Sequence, residues 1–201
     1  MGNHKSSAQQ KEEKAKQGID TVAHEHLAGV KTELVESRPR DETIPLKVVV
    51  LGEFRVGKTS LTTKFVEGQF DEAASYCEKT LQIGDEKAKL NIWDTSGEEK
   101  YHELAKCYYH RAKGALLVYD VTDEDSFQRA TYLYEELIQG IEKEAPIILV
   151  GNKCDVQTHT VAKEEADNYA RSKGIEHVHT SAQNGHNVDY VFTTLTEKML
   201  A

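Results

Sequence analysis

The stretch GEFRVGKTS, residues 52 to 60, places Gly52 four residues ahead of the run Gly57-Lys58-Thr59. That spacing suits a loop whose backbone N–H groups converge on phosphate oxygens at the start of a helix. Gly52, Phe54, Arg55, Val56, Gly57, Lys58, Thr59 and Ser60 are therefore the candidate phosphate cradle. Lys58 would neutralise the β- and γ-phosphates, and the Thr59 hydroxyl would take a place on Mg²⁺. A glycine-rich turn that serves structure alone does not need the lysine. Phe54 and Arg55 are the unusual members, bulky where the backbone must wrap tightly.

Two further groups follow apolar runs. After AKLNIWD comes Asp94-Thr95-Ser96-Gly97, a carboxylate followed by a glycine whose N–H can reach a terminal phosphate. Asp94 is the candidate partner of Mg²⁺, and that assignment leans on the loop before it, because an isolated strand-terminal Asp is more simply a helix cap. After PIILVG comes GNKCD, residues 151 to 155. One carboxylate can accept the two adjacent donors of guanine, N1–H and the exocyclic amine, whereas adenine would leave it desolvated and unpaired. Asp155 suits that role. Asn152 can bond the base edge or brace neighbouring loops, and the aliphatic stem of Lys153 can lie across the ring plane. HTSAQ, residues 179 to 183, adds Ser181, Ala182 and Gln183, with the Ala182 N–H directed at the base O6.

These groups need strands to hold them. From residue 46 onward apolar runs alternate with helical ones: LKVVVL, then 58 to 67, AKLNIWD, 98 to 110, GALLVYDV, 125 to 143, PIILVG, 163 to 173, IEHVHT and 187 to 200. The rhythm is α/β. Its central strands are continuous in Val, Ile and Leu, as strands covered on both faces must be. Ligands of such sheets bind beyond the carboxyl ends of the strands, where the polar groups above fall.

Residues 1 to 43 differ from the rest, polar and free of repeats, with 37 to 45 as a linker punctuated by Pro39 and Pro45. Ile19, Val22, Ala23, Leu27, Val30 and Leu34 recur at spacings of three and four, which predicts an amphipathic helix over about 10 to 36. The chain of 201 residues carries a net charge of −9, which argues against a nucleic-acid partner. No apolar run approaches the ~18 residues of a membrane span, and three scattered cysteines suggest neither a disulfide framework nor a zinc site, so a cytosolic chain is expected. The histidine pairs His24/His26 and His177/His179 are assigned to surface or core packing, and the DEDS run to a helix cap.

From about Ile44 to the C-terminus the ordered motifs GxxxxGKTS, WDTSG, GNKCD and TSAQ resemble a small GTPase of the Ras superfamily. The segment around Trp93 and Tyr108-Tyr109 is similar to the Rab branch, especially its endosomal members. The resemblance implies a P-loop G domain, 44 to 201, with a six-stranded, mostly parallel sheet and five helices. It implies a GDP/GTP switch in vesicle or endosomal trafficking, with effectors, an exchange factor and an activating protein as partners. It also carries Phe70 over as the aromatic edge against guanine, and Lys58, Gly97 and the residue at Glu98 as the catalytic set.

Several positions depart from that pattern. Glu98 stands where the family has a water-orienting Gln, and an ionised carboxylate accepts but does not donate. Gln183 replaces the usual Lys. Between Phe70 and Trp93 the chain is about six residues short of the Rab pattern, and the threonine that closes on Mg²⁺ has only Cys77, Ser75 or Thr80 near its place. Turnover is therefore expected to be slow, and two functions compete: a switch with impaired hydrolysis, or a nucleotide-holding scaffold whose output is a persistent protein contact. An ATP-driven enzyme is disfavoured by Asn152 and Asp155.

The family's usual prenylatable cysteine has no counterpart after Cys154 in this sequence, so a lipid anchor is expected either at the N-terminus or on a C-terminal tail absent here. Met1-Gly2-Asn3-His4-Lys5-Ser6 fits the myristoylation pattern at Gly2, with the basic residues near it assisting a single weak acyl chain. An alkyne-tagged fatty acid fed to cells is expected to label the chain, and equal labelling of Gly2→Ala would remove this anchor.

Overall fold

Valine, isoleucine and leucine without polar interruption make strands that bury both faces, and three such runs form the centre of the sheet. The computed structural model describes residues 42–68, 76–95 and 109–201. The chain divides between Arg38 and Pro39, and all described residues lie in the second unit. The expected helix over 10 to 36, residues 98 to 108 of the helical run expected over 98 to 110, and Gly2, Phe70, Ser75, Gly97 and Glu98 lie outside the described residues.

The elements run β1 (Thr43–Gly52), α1 (Lys58–Glu67), β2 (Tyr76–Ile83), β3 (Glu86–Asp94), β4 (Gly114–Asp120), α2 (Glu124–Leu137), β5 (Ile147–Asn152), α3 (Lys163–Lys173), β6 (Glu176–His179) and α4 (Val188–Leu200). The six strands form one sheet in the order β2-β3-β1-β4-β5-β6. All neighbours are parallel except the β2/β3 hairpin. This is the expected α/β architecture.

Each central strand alternates its side chains between two cores. Val48, Val50, Leu116, Val118, Ile148 and Val150 face Leu61 and Phe65 of α1 and Val191, Phe192 and Leu195 of α4. Val49, Leu51, Leu117, Tyr119 and Leu149 face Phe127, Ala130, Leu133 and Leu137 of α2 and Ala166 and Ala170 of α3. Phe65 and Phe192 stack with centroids 4.1 Å apart, joining α1 to α4 across the first core.

Three boundaries differ from the sequence expectation. Strand β2 lies outside the apolar runs because it is an edge strand: Tyr76, Glu78, Thr80 and Gln82 are exposed, and only alternate residues turn inward. Its pairing is set by the two-residue turn Gly84-Asp85, with Ile83 opposite Glu86 and Gly84 at φ +56. The segment 37 to 45 is not all linker, since Thr43 to Pro45 already pair with β3. There β1 has no β4 neighbour, so the missing N–H of Pro45 leaves no ladder bond unmade on that side. The helix expected over 125 to 143 ends at Leu137, and tight turns through Gly140, which passes beneath the Tyr109 ring, carry the chain back to β5.

The His177/His179 pair is core packing of a specific kind. The Nδ1 of His177 lies 2.7 Å from Asp167 Oδ1 and its Nε2 3.0 Å from the Tyr119 hydroxyl, while His179 Nε2 approaches the same hydroxyl at 3.5 Å. Burial lowers the pKa of both imidazoles, that of His179 to about 4. The unfolded chain therefore takes up protons first as pH falls, so stability is retained above the ordinary histidine range and lost from about pH 6.5 toward 4. Urea melts across that window are expected to show the loss, and His179→Gln, which keeps a donor near Tyr119, to flatten it. An unchanged slope would place the acid sensitivity elsewhere.

Candidate functional site

Helix α1 starts without a cap. Its N-cap is Gly57 at φ +93, no side chain accepts from its first turn, and that turn holds no acidic residue. By contrast α2 begins with the Asp123 carboxylate accepting from Asp125 N, followed by Glu124 and Asp125, as a cap from the DEDS run should. An uncapped helix start presents free N–H donors and the positive end of the helix dipole, which together favour an anion.

The loop before α1 is shaped by close approach. A Cβ on Gly52 would lie 2.1 Å from Val118 O, and one on Gly57 would lie 2.3 Å from Asn152 Nδ2. Arg55 also takes a positive φ of +65, an uncommon conformation for a residue with a side chain. Lys58 is buried and its Nζ donates to Gly52 O at 3.1 Å and Glu53 O at 2.8 Å. Desolvation lowers its pKa, opposed by the carboxylates of Asp94 and Glu53.

The Thr59 hydroxyl donates to Asp94 Oδ2, while Asp94 Oδ1 is buried with no hydrogen-bond partner. Burial raises the Asp94 carboxyl to about pH 6 against the pull of Thr59 and Lys58. A hydroxyl beside an unpartnered, desolvated carboxylate oxygen is a donor set that fits a hard divalent cation.

At the ends of β5 and β6, Asn152 acts as a brace. Its Nδ2 donates to Val56 O at 2.9 Å, and its Oδ1 accepts from Ala182 N at 3.2 Å and Thr180 Oγ1 at 3.3 Å. The loop-bracing role expected for Asn152 is present, and the Ala182 N–H is one of the donors to its Oδ1. Asp155 Oδ1 accepts from the buried Ser181 hydroxyl at 2.5 Å. Lys153, at φ +65, reaches Asp120 Oδ2 at 2.5 Å.

These side chains surround one cavity of about 640 Å³, the size of a small-molecule site. Its walls include Phe54, Arg55, Gly57, Lys58, Thr59, Ser60, Asn152, Lys153, Asp155, Ala182 and Gln183 from the sequence-derived set. Four described members of that set lie off the wall. Gly52 is buried against Val118, Val56 packs into the core, and Ser181 sits behind Asp155. Asp94 is beneath the floor, held by Thr59. Phe54 is half exposed, and the Arg55 guanidinium lies 5.1 Å from its ring centroid. Cys77 and Thr80 are in the β2/β3 ladder, opposite Ile92 and Lys89, and neither lines the cavity.

Sequence reasoning missed Thr95 and Val156 on the wall, and Glu53, whose carboxylate accepts from Phe54 N at 2.8 Å and lies 3.5 Å from Arg129 Nε. It also missed Asp120. A strand-terminal Asp with a Thr two residues on was available as a signal, since the strand-terminal position also selected Asp94.

The Ras family model matches residues 47–201. Ras-related protein Rab-21 of Geodia cydonium is 42% identical over 171 residues, covering 82% of this chain and 75% of that protein. Human Ras-related protein Rab-21 is 42% identical over 161 residues, 77% of this chain and 72% of its own length. Ras-related protein Rab5A of rice is 39% identical over 171 residues, 82% and 84% of the two chains. The chain belongs to the Ras family and is a small GTPase of the Rab type. As such it binds guanine nucleotide and works as a GDP/GTP switch in membrane trafficking, with effectors and regulators as partners. No helix among the described residues is long and apolar enough to cross a membrane.

Asn152→Ala would strand Val56 O and the donors of Ala182 and Thr180 in a buried place. Each unpaired group costs about 1 to 3 kcal/mol, so a loss on the order of 3 kcal/mol is expected in urea unfolding. A variant as stable as the parent would show that the three loops hold one another without it.

Proposed function

We propose that this chain is a Mg²⁺-dependent guanine-nucleotide switch whose hydrolysis is slow. The observation that carries the reading is the uncapped start of α1 meeting Lys58, Thr59 and Asp155 on the wall of one cavity, with Asp94 bonded to Thr59. The loop N–H groups and Lys58 take the phosphates, Thr59 and Asp94 hold Mg²⁺, and Asp155, steadied by Ser181, accepts from the guanine donors. Bound Mg²⁺ offsets phosphate charge and orients the terminal phosphate. By the family resemblance Phe70 is assigned to the edge of the base.

The loop binds through its backbone, so Phe54 and Arg55 leave phosphate binding intact. Phe54 with Arg55 stacked on it crowds the mouth, where an activating partner would insert an arginine worth roughly 10³ to 10⁵ in rate. Glu98, next to Gly97, accepts but does not donate and so cannot orient water as the amide does. The same crowding supports the second reading, a scaffold that holds nucleotide without turning it over.

In the switch reading, residues 1 to 43 form an extension with an amphipathic helix, residues 44 to 201 the G domain, and a lipid on Gly2 attaches the protein peripherally to endosomal membrane.

Nucleotide retained through purification, identified by chromatography, is expected to be GDP or GTP. Lys58→Ala weakens triphosphate binding whatever the base, and Asp155→Ala abolishes the preference for GTP over ATP; equal selectivity in parent and variant would overturn the base assignment. In single-turnover hydrolysis with Mg²⁺, Phe54→Gly and Glu98→Gln are expected to be faster than the parent. A parent already as fast as both, with and without an activating protein, would overturn slow turnover.

A further inference from the structure

We propose that Asp120 is a positioning residue for nucleotide retention, acting through Lys153; this rests on the guanine-nucleotide reading of the cavity above. Asp120 is buried at the end of β4 and is not on the cavity wall, so it reaches a ligand only by way of another side chain. Its Oδ2 lies 2.5 Å from Lys153 Nζ. Its Oδ1 accepts from Thr122 N at 2.9 Å and Thr122 Oγ1 at 2.7 Å, which prevents the carboxylate from swinging away. The pairing with Lys153 and the Thr122 bonds outweigh burial and keep the carboxyl below its ordinary range, hence charged.

The backbone is tied at the same place. Val121 N donates to Asn152 O at 3.0 Å, immediately before Lys153, and Thr160 N and Val161 N donate to Val121 O at 3.0 and 3.1 Å. Lys153 itself is held at φ +65, so both ends of the Asp120/Lys153 pair are fixed before any ligand arrives. A free lysine has a large rotamer entropy that binding must remove. With its ammonium pinned on Asp120, the four-carbon stem already lies along the wall it shares with Phe54 and Ala182, its apolar length available to a purine face. Asp120 therefore lowers the cost of ordering the base-facing wall, and its effect is independent of the number of phosphates.

The test is a double-mutant cycle on the release rate of fluorescent GDP and GTP from the full chain. Asp120→Asn keeps the acceptor for Thr122 and drops the charge; Lys153→Met keeps an apolar stem and drops the ammonium. Asp120→Asn is expected to speed release about tenfold, by the same factor for GDP and GTP. The double variant should release no faster than Lys153→Met alone, a coupling that a merely structural role of Asp120 would not produce. Release at the parental rate, or effects that multiply, would overturn the inference. Should circular dichroism show Asp120→Asn unfolded, Thr122→Val, which loosens the carboxylate without removing it, is expected to speed release about threefold, and no change there overturns it equally. A parent that retains no guanine nucleotide sinks the underlying reading and this inference together, whereas failure of the variants alone leaves that reading standing.

Discussion

One buried amide organises this end of the molecule. Asn152 bonds Val56 in the loop after β1, and Thr180 and Ala182 in the loop after β6, so three segments far apart in sequence share one set of hydrogen bonds. The bonds require the loops to approach closely, and that is possible because Gly57 offers no Cβ where Asn152 Nδ2 passes. A buried polar group with every partner in place stiffens its surroundings, whereas one left half satisfied is a liability. The cavity owes its shape to this brace, because the walls on both sides hang from it.

Charge is distributed around the brace with the same economy. The chain is acidic as a whole, at −9, yet the start of α1 is free of carboxylates, and the acidic groups near the cavity each have an assigned cation or donor. Glu53 faces Arg129 and the Phe54 N–H, Asp120 faces Lys153, and Asp155 faces Ser181. Asp94 is the exception, with one oxygen on Thr59 and the other buried and unpartnered. The start of α1 thus presents unpaired N–H donors, which favour an anion, close to one buried carboxylate oxygen without a partner.

The histidines show a different use of burial. His177 is locked between Asp167 and Tyr119 in the core beneath β6, and its neighbour His179 shares the Tyr119 hydroxyl. Neutral imidazoles serve here as shaped, hydrogen-bonding core residues, packed close to Gly151 at the end of β5, where any side chain would collide with Tyr119. The tight packing of β4, β5 and β6 at this level keeps the strand ends in register, and with them Asn152, Thr180 and Ala182.

The central strands, the loop before α1 and the residues Lys58, Thr59, Asp94, Asn152 and Asp155 were legible in the sequence, because uninterrupted Val and Leu runs and fixed Gly-Lys-Thr spacing follow from local chemistry alone. The edge strand β2 was not, since its exposed positions are polar and only its hairpin partner makes it a strand. Nor was the early end of α2, where the return to β5 overrides helical pattern. The roles of Asn152 as brace, Val56 as core residue and Asp120 as the anchor of Lys153 were decided by tertiary structure. Each depends on which strand ends lie side by side, and the order β1-β4-β5-β6 brings together residues that no spacing along the chain connects.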